Sequence, residues 1–206
     1  MDVTVRPALQ SDIPALAEVL GIAFTDDPLI AWLIPETATR TKRATIMFDS
    51  LVRHQFFTEG AVEVALDDTG AMVGAAVWSP PGKWHATEGD LLRQFPSLLR
   101  AFRHRLVRAG RMSDRMAAAH PREPHWYLAI IGTLPSARGR GYGQALLNSR
   151  LERCDAEGSP AYLESSKSEN VPYYERFGFD KTGELDATNG GPLLWPMWRV
   201  PRRESP

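Results

Sequence analysis

Arg138-Gly139-Arg140-Gly141-Tyr142-Gly143 decides the reading of this chain. The apolar run Trp126-Tyr127-Leu128-Ala129-Ile130-Ile131 precedes it, and Gln144, Ala145, Leu146, Leu147 and Leu151 follow in a helical pattern. A strand, a glycine-rich turn and a helix make an anion cradle. Glycine lets the backbone curl where a Cβ would clash. Successive N–H groups then point into one concavity, at the positive end of a helix dipole. Arg138 and Arg140 add positive charge that does not titrate away. A diphosphate fits that chemistry.

Two familiar diphosphate loops fit less well. The loop of nucleotide hydrolases carries Lys-Ser or Lys-Thr after its last glycine, whereas Gln144-Ala145 stand here. A dinucleotide fold wants G-x-G-x-x-G, a following helix, and an acid about 20 residues on. The helix is present, and so is an acid, Glu164 after Ala161-Tyr162-Leu163. The glycines, however, are spaced G-x-G-x-G with arginines between them, and Pro135 to Arg138 separate the strand from the first glycine.

The pattern Arg-x-x-Gly-x-Gly, after a strand that ends two residues before a proline, resembles the acetyl-coenzyme A motif of the GNAT superfamily of N-acetyltransferases. The segment Asn170-Val171-Pro172-Tyr173-Tyr174-Glu175-Arg176-Phe177-Gly178-Phe179 resembles that superfamily's second signature, and the separation of the two motifs also fits. The resemblance covers residues 120–185 well. The opening, Val3 to Ala8 and Asp12 to Leu16, is similar less specifically. Leu163-Glu164-Ser165-Ser166 through Phe179 most resembles puromycin N-acetyltransferases and their relatives.

Composition sets bounds on the rest. A chain of 206 residues is long enough for one sizeable core, read here as a single domain over 1–200 with a helical insert at about 87–119 and a frayed tail at 201–206. Hydrophobic residues at 43% and charged residues at 24% are ordinary for a globular protein. A net charge of −1 gives no general case for nucleic acid. The single cysteine, Cys154, has no internal partner for a disulfide. No apolar run suits a membrane span, and Asp2 and Arg6 do not suit a signal peptide. The expectation is a soluble, cytoplasmic protein.

Along the chain, residues 2–6 read as a strand, and Ser11-Asp12 open a helix with Ile13, Leu16, Val19 and Leu20 inward. Asp26-Asp27-Pro28 is a second helix start, an acid cap with proline in the first turn. A third helix is expected at 39–58. Val62–Leu66 and Ala71–Trp78 read as a hairpin about the turn Asp67-Asp68-Thr69-Gly70. In the insert, Leu91, Leu92, Phe95, Leu98, Leu99, Phe102 and Leu106 sit at helical spacing, with Pro96 expected to start or kink a helix. After the glycine loop come a helix at 142–157, a strand at 161–165, a short helix near 171–177, and strands at 179–185 and 192–199. That order predicts an α/β fold, a mixed twisted sheet with helices on both faces, as the GNAT resemblance also implies.

The resemblance implies where the chemistry sits. Acetyl-CoA would dock on Arg138, Gly139, Arg140, Gly141, Tyr142, Gly143 and Gln144, with its pantetheine arm along Ile131, Gly132 and Thr133. Gly132 also reads as a bulge that splays the strand. Asn170 would cap the short helix or bind the arm. Tyr174 would be the general acid: a thiol titrates near 8.5 and a phenol near 10, so the phenol still holds its proton. The base is less determined. Glu164, His125, Asp26 and Asp27 are the candidates, with the two aspartates also readable as caps and His125 as a strand-end residue. Glu164 is the one carried forward. Trp78 reads as core and Trp84 as a ligand contact, while Cys154 reads as structural. No histidine pair has metal-ligand spacing. The insert's arginines (Arg93, Arg100, Arg103, Arg105, Arg108, Arg111, Arg115) read as a solvated face rather than a nucleic-acid surface. The acceptor is expected to be a small-molecule primary amine. A peptide or protein amine, or a CoA-binding module without catalysis, are the alternatives. A homodimer is compatible with this reading, but no residue specifies one.

Overall fold

The computed structural model describes residues 3–58, 61–187 and 190–202. An eight-stranded mixed sheet organises it. The strand order is β1 (Thr4–Pro7), β2 (Ala61–Leu66), β3 (Met72–Ser79), β4 (Trp126–Thr133), β5 (Ala161–Ser165), β8 (Leu193–Arg199), β6 (Phe179–Lys181). A short β7 (Leu185–Asp186) pairs with β8 off that path. All neighbours are antiparallel except β4 and β5.

Helices cover both faces, as the sequence pattern predicts. On one face lie α1 (Ile13–Ala23) and α3 (Thr37–Leu51). Ile13, Leu16, Ala17 and Leu20 of α1 recur at helical spacing and pack with Met47, Phe48, Val64, Ala75, Val77 and Ile130. On the other face lies α6 (Tyr142–Ala156), whose Leu146, Leu147, Leu151 and Cys154 pack on Ala76, Trp78, Trp126 and Leu128. Ile130 and Leu128 thus sit on opposite faces although two residues apart, which regular alternation forbids. The register explains it. Val77 stands opposite Ile130 and Trp78 opposite Leu128, so Ala129 is an extra residue, a β-bulge. The bulge expected at Gly132 therefore lies three residues earlier. Gly132 is small for another reason: a Cβ there would stand 3.0 Å from both Ala23 Cβ and Phe24 Cε2.

Other boundaries shift for identifiable reasons. The expected third helix begins at Thr37, and its last part, Val52–Phe56, is a π-helical stretch rather than α. In the insert, α4 (Glu88–Phe102) opens on a capping box: Thr87 Oγ1 accepts from Asp90 N–H at 3.2 Å and Asp90 Oδ2 from Thr87 N–H at 2.9 Å. Pro96 neither starts nor ends a helix; it lies inside α4. The break before α5 (Leu106–Ala119) comes instead at Arg103, whose φ of 53° lies outside the α-helical region and opens a short 3-10 turn over Arg103–Arg105. Phe102 is buried, but Leu91, Leu92, Phe95 and Leu99 are exposed rather than core. The strand expected at 179–185 is two short ones, β6 and β7. Residues 203–206 of the expected frayed tail lie outside the described residues, while the Arg202 N–H is tied to Asp155 Oδ1 at 2.6 Å. No helix among the described residues is long and apolar enough to cross a membrane.

Candidate active site

The parallel pair β4–β5 is short. Trp126, Tyr127 and Leu128 register with Ala161, Tyr162 and Leu163, and there the pairing stops. Beyond Leu128, β4 continues to Thr133 against β3 alone, while Glu164 and Ser165 stay with β8. The Ala129 bulge sits where the two strands part. A cleft of ≈ 600 Å³ opens between them, bounded by the end of α1, the glycine loop and α7 (Val171–Glu175). Ile131, Gly132 and Thr133 line it with a strand edge unpaired among the described residues. Such an edge offers N–H and C=O groups to an extended ligand.

The loop takes the predicted form. Gly139 and Gly141 have φ of 76° and 89°, a region that L side chains rarely adopt. Gly141 is the N-cap of α6, and the first backbone bond across its cap runs from Ala145 N–H to Gly141 O at 2.9 Å. The amides of Tyr142, Gly143 and Gln144 thus precede the helical ladder at the positive end of the helix. All three residues line the cleft, with Arg138, Gly139 and Gly141. Arg138 Nη2 donates to the Ala23 carbonyl at 3.1 Å, which anchors the loop to the end of α1. Arg140 does not line the cleft; its guanidinium lies 5.6 Å over the Tyr142 ring.

The second signature closes the far wall. Val171–Glu175 forms α7, with Pro172 in its first turn. Asn170 is its N-cap, makes no side-chain capping bond, and lines the cleft. Tyr173 and Tyr174 both line it, with rings edge-on at 5.6 Å. Tyr174 is buried. Burial pushes its phenol well above the ordinary value, and the charges at Tyr173 and Asp27 add to this. Arg199 holds the turn after α7: its Nε donates to Phe177 O at 2.8 Å while its two terminal nitrogens grip Asp155 at 2.8 and 2.7 Å.

The base candidates separate in space. Asp27 is the cap of α2 (Pro28–Leu33): its Oδ1 accepts from Leu29 and Ile30 N–H at 3.0 and 3.1 Å. Its other oxygen accepts from Ser166 Oγ. Asp27 lines the cleft, but its oxygens are engaged; Asp26 is exposed and lies outside it. Glu164 also lines the cleft, yet its side chain is only 1% exposed and turns into a buried cluster. There it meets His120, with Oε1 and Nδ1 3.7 Å apart, and the His120 ring stands edge-on to Tyr127 and Tyr162 at 4.8 and 4.9 Å. Burial first, then the Glu164 charge and hydrogen bonding to its carboxylate, raises both phenols. His125 belongs to the same cluster, 3.0 Å from His120 between Nε2 atoms. His120 carried no signal in the sequence. It ends the insert, and the β4–β5 pairing is what sets it beside Glu164.

The remaining assignments are structural. Trp78 is wholly buried, and Trp84 stacks on His120 with ring centroids 3.6 Å apart. Cys154 is buried, and burial pushes its thiol up to about 12, so it is no nucleophile at neutral pH.

Comparison with known proteins agrees with this fold. The Acetyltransferase (GNAT) family matches residues 30–179. An uncharacterized N-acetyltransferase of Schizosaccharomyces pombe is 32% identical over 210 residues, spanning 94% of this chain and 82% of that protein. A crystal structure from Corynebacterium glutamicum, described as histone acetyltransferase HPA2 and related acetyltransferase, superposes with a TM-score of 0.77 at 30% identity, covering 100% of both chains. A GNAT family acetyltransferase from Brucella melitensis, solved in complex with acetyl-CoA, shares the fold with a TM-score of 0.52 at 18% identity, over 100% of this chain and 92% of its own. The chain belongs to the GNAT family of acetyltransferases.

Proposed function

We propose that this protein transfers an acetyl group from acetyl-CoA to a primary amine of a small molecule. The observation that carries the proposal is the meeting of three features in one cleft: the glycine loop, the unpaired edge of β4 and the Tyr174 phenol. In this reading the diphosphate rests on the amides of residues 139–144 beside Arg138. The pantetheine arm extends along Ile131, Gly132 and Thr133. A Cβ at Gly141 would impose a strained backbone on the cradle, which fits a ligand held by backbone rather than side chains.

The amine attacks the thioester carbonyl directly, with no acyl-enzyme. The C–N bond forms and the C–S bond breaks. Tyr174 donates to the departing sulfur. Its raised value keeps the proton on the phenol at any working pH. Transfer to the thiolate is completed as the amide nitrogen gives up its own proton to the phenolate, so Tyr174 ends the cycle protonated. A backbone N–H near Gly132 supports the oxyanion. Glu164 serves the acceptor ammonium, whose proton must leave before attack.

A peptide or protein amine is the second reading, favoured by the description of the Corynebacterium relative. A screen with acetyl-CoA and thiol detection tests both, using benzylamine, tyramine, spermidine and puromycin beside lysine-bearing peptides. Puromycin is included for the resemblance of residues 163–179. Thiol release with a small amine, abolished in Tyr174→Phe, supports the proposal. Release with peptides alone supports the second reading. Binding of acetyl-CoA with no transfer to any acceptor points to a non-catalytic module.

A further inference from the structure

We propose that Glu164, His120 and His125 form a proton relay that carries the acceptor amine's proton from the cleft to the surface at Glu123; this rests on the acetyl-transfer reading above. The atoms form a line. Glu164 Oε1 is buried and has no hydrogen-bond partner among the described residues. It faces His120 Nδ1 at 3.7 Å. His120 Nε2 meets His125 Nε2 at 3.0 Å, and His125 Nδ1 meets the Glu123 carbonyl oxygen at 2.6 Å. Both imidazoles are buried, and Glu123 is exposed.

Hydrogen-bond chemistry fixes the direction. A carbonyl oxygen only accepts, so His125 Nδ1 carries a hydrogen. Two nitrogens 3.0 Å apart share one proton. With His125 neutral, its Nε2 accepts and His120 Nε2 donates. His120 Nδ1 is then the ring atom that can take a proton, and it faces the unpartnered carboxylate oxygen. Burial holds His125 below the ordinary histidine value, against the raising effect of the Glu123 hydrogen bond, and the His120 charge pushes the same way as burial. His125 therefore passes a proton on rather than keeping it.

The surroundings insulate the line. Trp84 covers His120, and Gln55 Nε2 holds Trp84 in place through its carbonyl at 3.0 Å. Trp198 stands edge-on to His125 at 5.2 Å. The other titratable neighbours are Tyr127, Tyr162 and His85, which lies against Trp84. Both tyrosines are raised, so neither phenol is the exit.

The proton balance requires such an exit. An ammonium and a thioester become an amide, a thiol and one proton. The ammonium gives its first proton to Glu164 through a single water, because the carboxyl group is only 1% exposed. Glu164 hands it to His120 Nδ1, His120 passes its Nε2 proton to His125, and His125 releases its Nδ1 proton to solvent beside Glu123. The nitrogen's second proton goes to the Tyr174 phenolate and restores the acid. One proton leaves, both imidazoles are left in the opposite tautomer and regain the starting one by ring rotation or proton exchange before the next turnover, and no redox partner is needed.

Two measurements test the relay. In the first, 15N-labelled histidine is followed by NMR between pH 5 and 9 in wild type and Glu164→Gln. The relay predicts coupled titration of His120 and His125, with the His120 curve moved downward by the substitution. Independent curves that E164Q leaves in place overturn it. In the second, kcat against pH is measured for His120→Asn and His125→Gln with the best amine of the screen, beside calorimetric titration of acetyl-CoA. The relay predicts a fall in kcat of at least about tenfold at pH 7 that recovers as pH rises and the amine sheds its own proton, with acetyl-CoA affinity unchanged. An equal loss at every pH marks a merely structural pair and overturns the relay. If wild type binds acetyl-CoA but acetylates nothing, the transfer reading fails, and the NMR titration still decides whether the three groups share a proton.

Discussion

The two sequence signatures meet at one pair of residues: a Cβ built on Gly143 would stand 3.2 Å from the Tyr173 hydroxyl oxygen. The first turn of α6 and the short helix α7 thus touch across the cleft floor. The Tyr173 hydroxyl is the far end of a side chain and can give by a few tenths of an ångström. Gly141 differs, because its backbone sits at φ 89° with open space where a Cβ would go.

These two glycines predict opposite outcomes. Gly143→Ala should leave acetyl-CoA affinity within about threefold, since a flexible side chain absorbs the contact. Gly141→Ala should weaken it about tenfold, because a left-handed backbone costs an L residue on the order of 1–2 kcal/mol and moves the amides that form the cradle. Calorimetric titration of both variants decides. Equal affinities would contradict the cradle.

Asp155→Asn should destabilise the fold by about 3 kcal/mol, because it leaves a buried guanidinium without its counter-charge. Arg199 is 2% exposed and pairs with no other carboxylate among the described residues, and Phe177 O depends on it as well. Urea unfolding measures the change. A loss under about 1 kcal/mol would mean that solvent replaces the pair.

Acid should unfold the protein partly through two carboxylates. Glu36 is pulled down to about 2 by its own backbone N–H first, then by Arg43 and Arg105, which it bridges at 2.5 and 2.9 Å. Burial alone would raise Asp155, but the Arg199 hydrogen bonds, the Arg202 N–H and the charges of both arginines together outweigh it and hold it low. Both values are lower folded than unfolded. Their contribution is present above the unfolded value and is lost as pH falls through the folded one. Stability should therefore decline from about pH 4.5 toward pH 2, and Glu36→Gln should flatten that limb. Thermal melts across pH 2–7 measure it. An unchanged limb would assign the acid response elsewhere.

Arg103→Gly should raise the melting temperature. Arg103 joins α4 to α5 at φ 53°, the only positive φ of a non-glycine among the described residues. Relief of that strain is worth roughly 1–3 kcal/mol, offset by about 1 kcal/mol from the greater freedom of glycine unfolded. A lower melting temperature would show that the arginine side chain outweighs the strain.

Local features were legible in the sequence, and those set by distant partners were not. The glycine loop declares itself because three glycines and two arginines within six residues have few other uses. Asp27 reads as a cap because Pro28 follows it. The Ala129 bulge was invisible: it is fixed by which residues of β3 stand opposite, and the small residue that drew attention, Gly132, answers instead to Phe24 and Ala23. Pro96 starts no helix, and it lies inside one. A proline inside a helix leaves the carbonyl four residues earlier without its donor, and here that carbonyl belongs to Leu92, a residue 77% exposed. The helix breaks at Arg103, where sequence offers no turn residue. His120 stayed hidden because its partners Glu164 and Tyr162 come from a later strand. Glu164 was found by resemblance, but the burial of its side chain was not.

Isothermal titration of the purified protein with acetyl-CoA, run beside NAD and ATP, tests the central claim most directly. The account predicts selective micromolar binding of acetyl-CoA, retained in Tyr174→Phe and weakened in Gly141→Ala. Binding of NAD or ATP with equal or greater affinity, or no binding of acetyl-CoA, would contradict it.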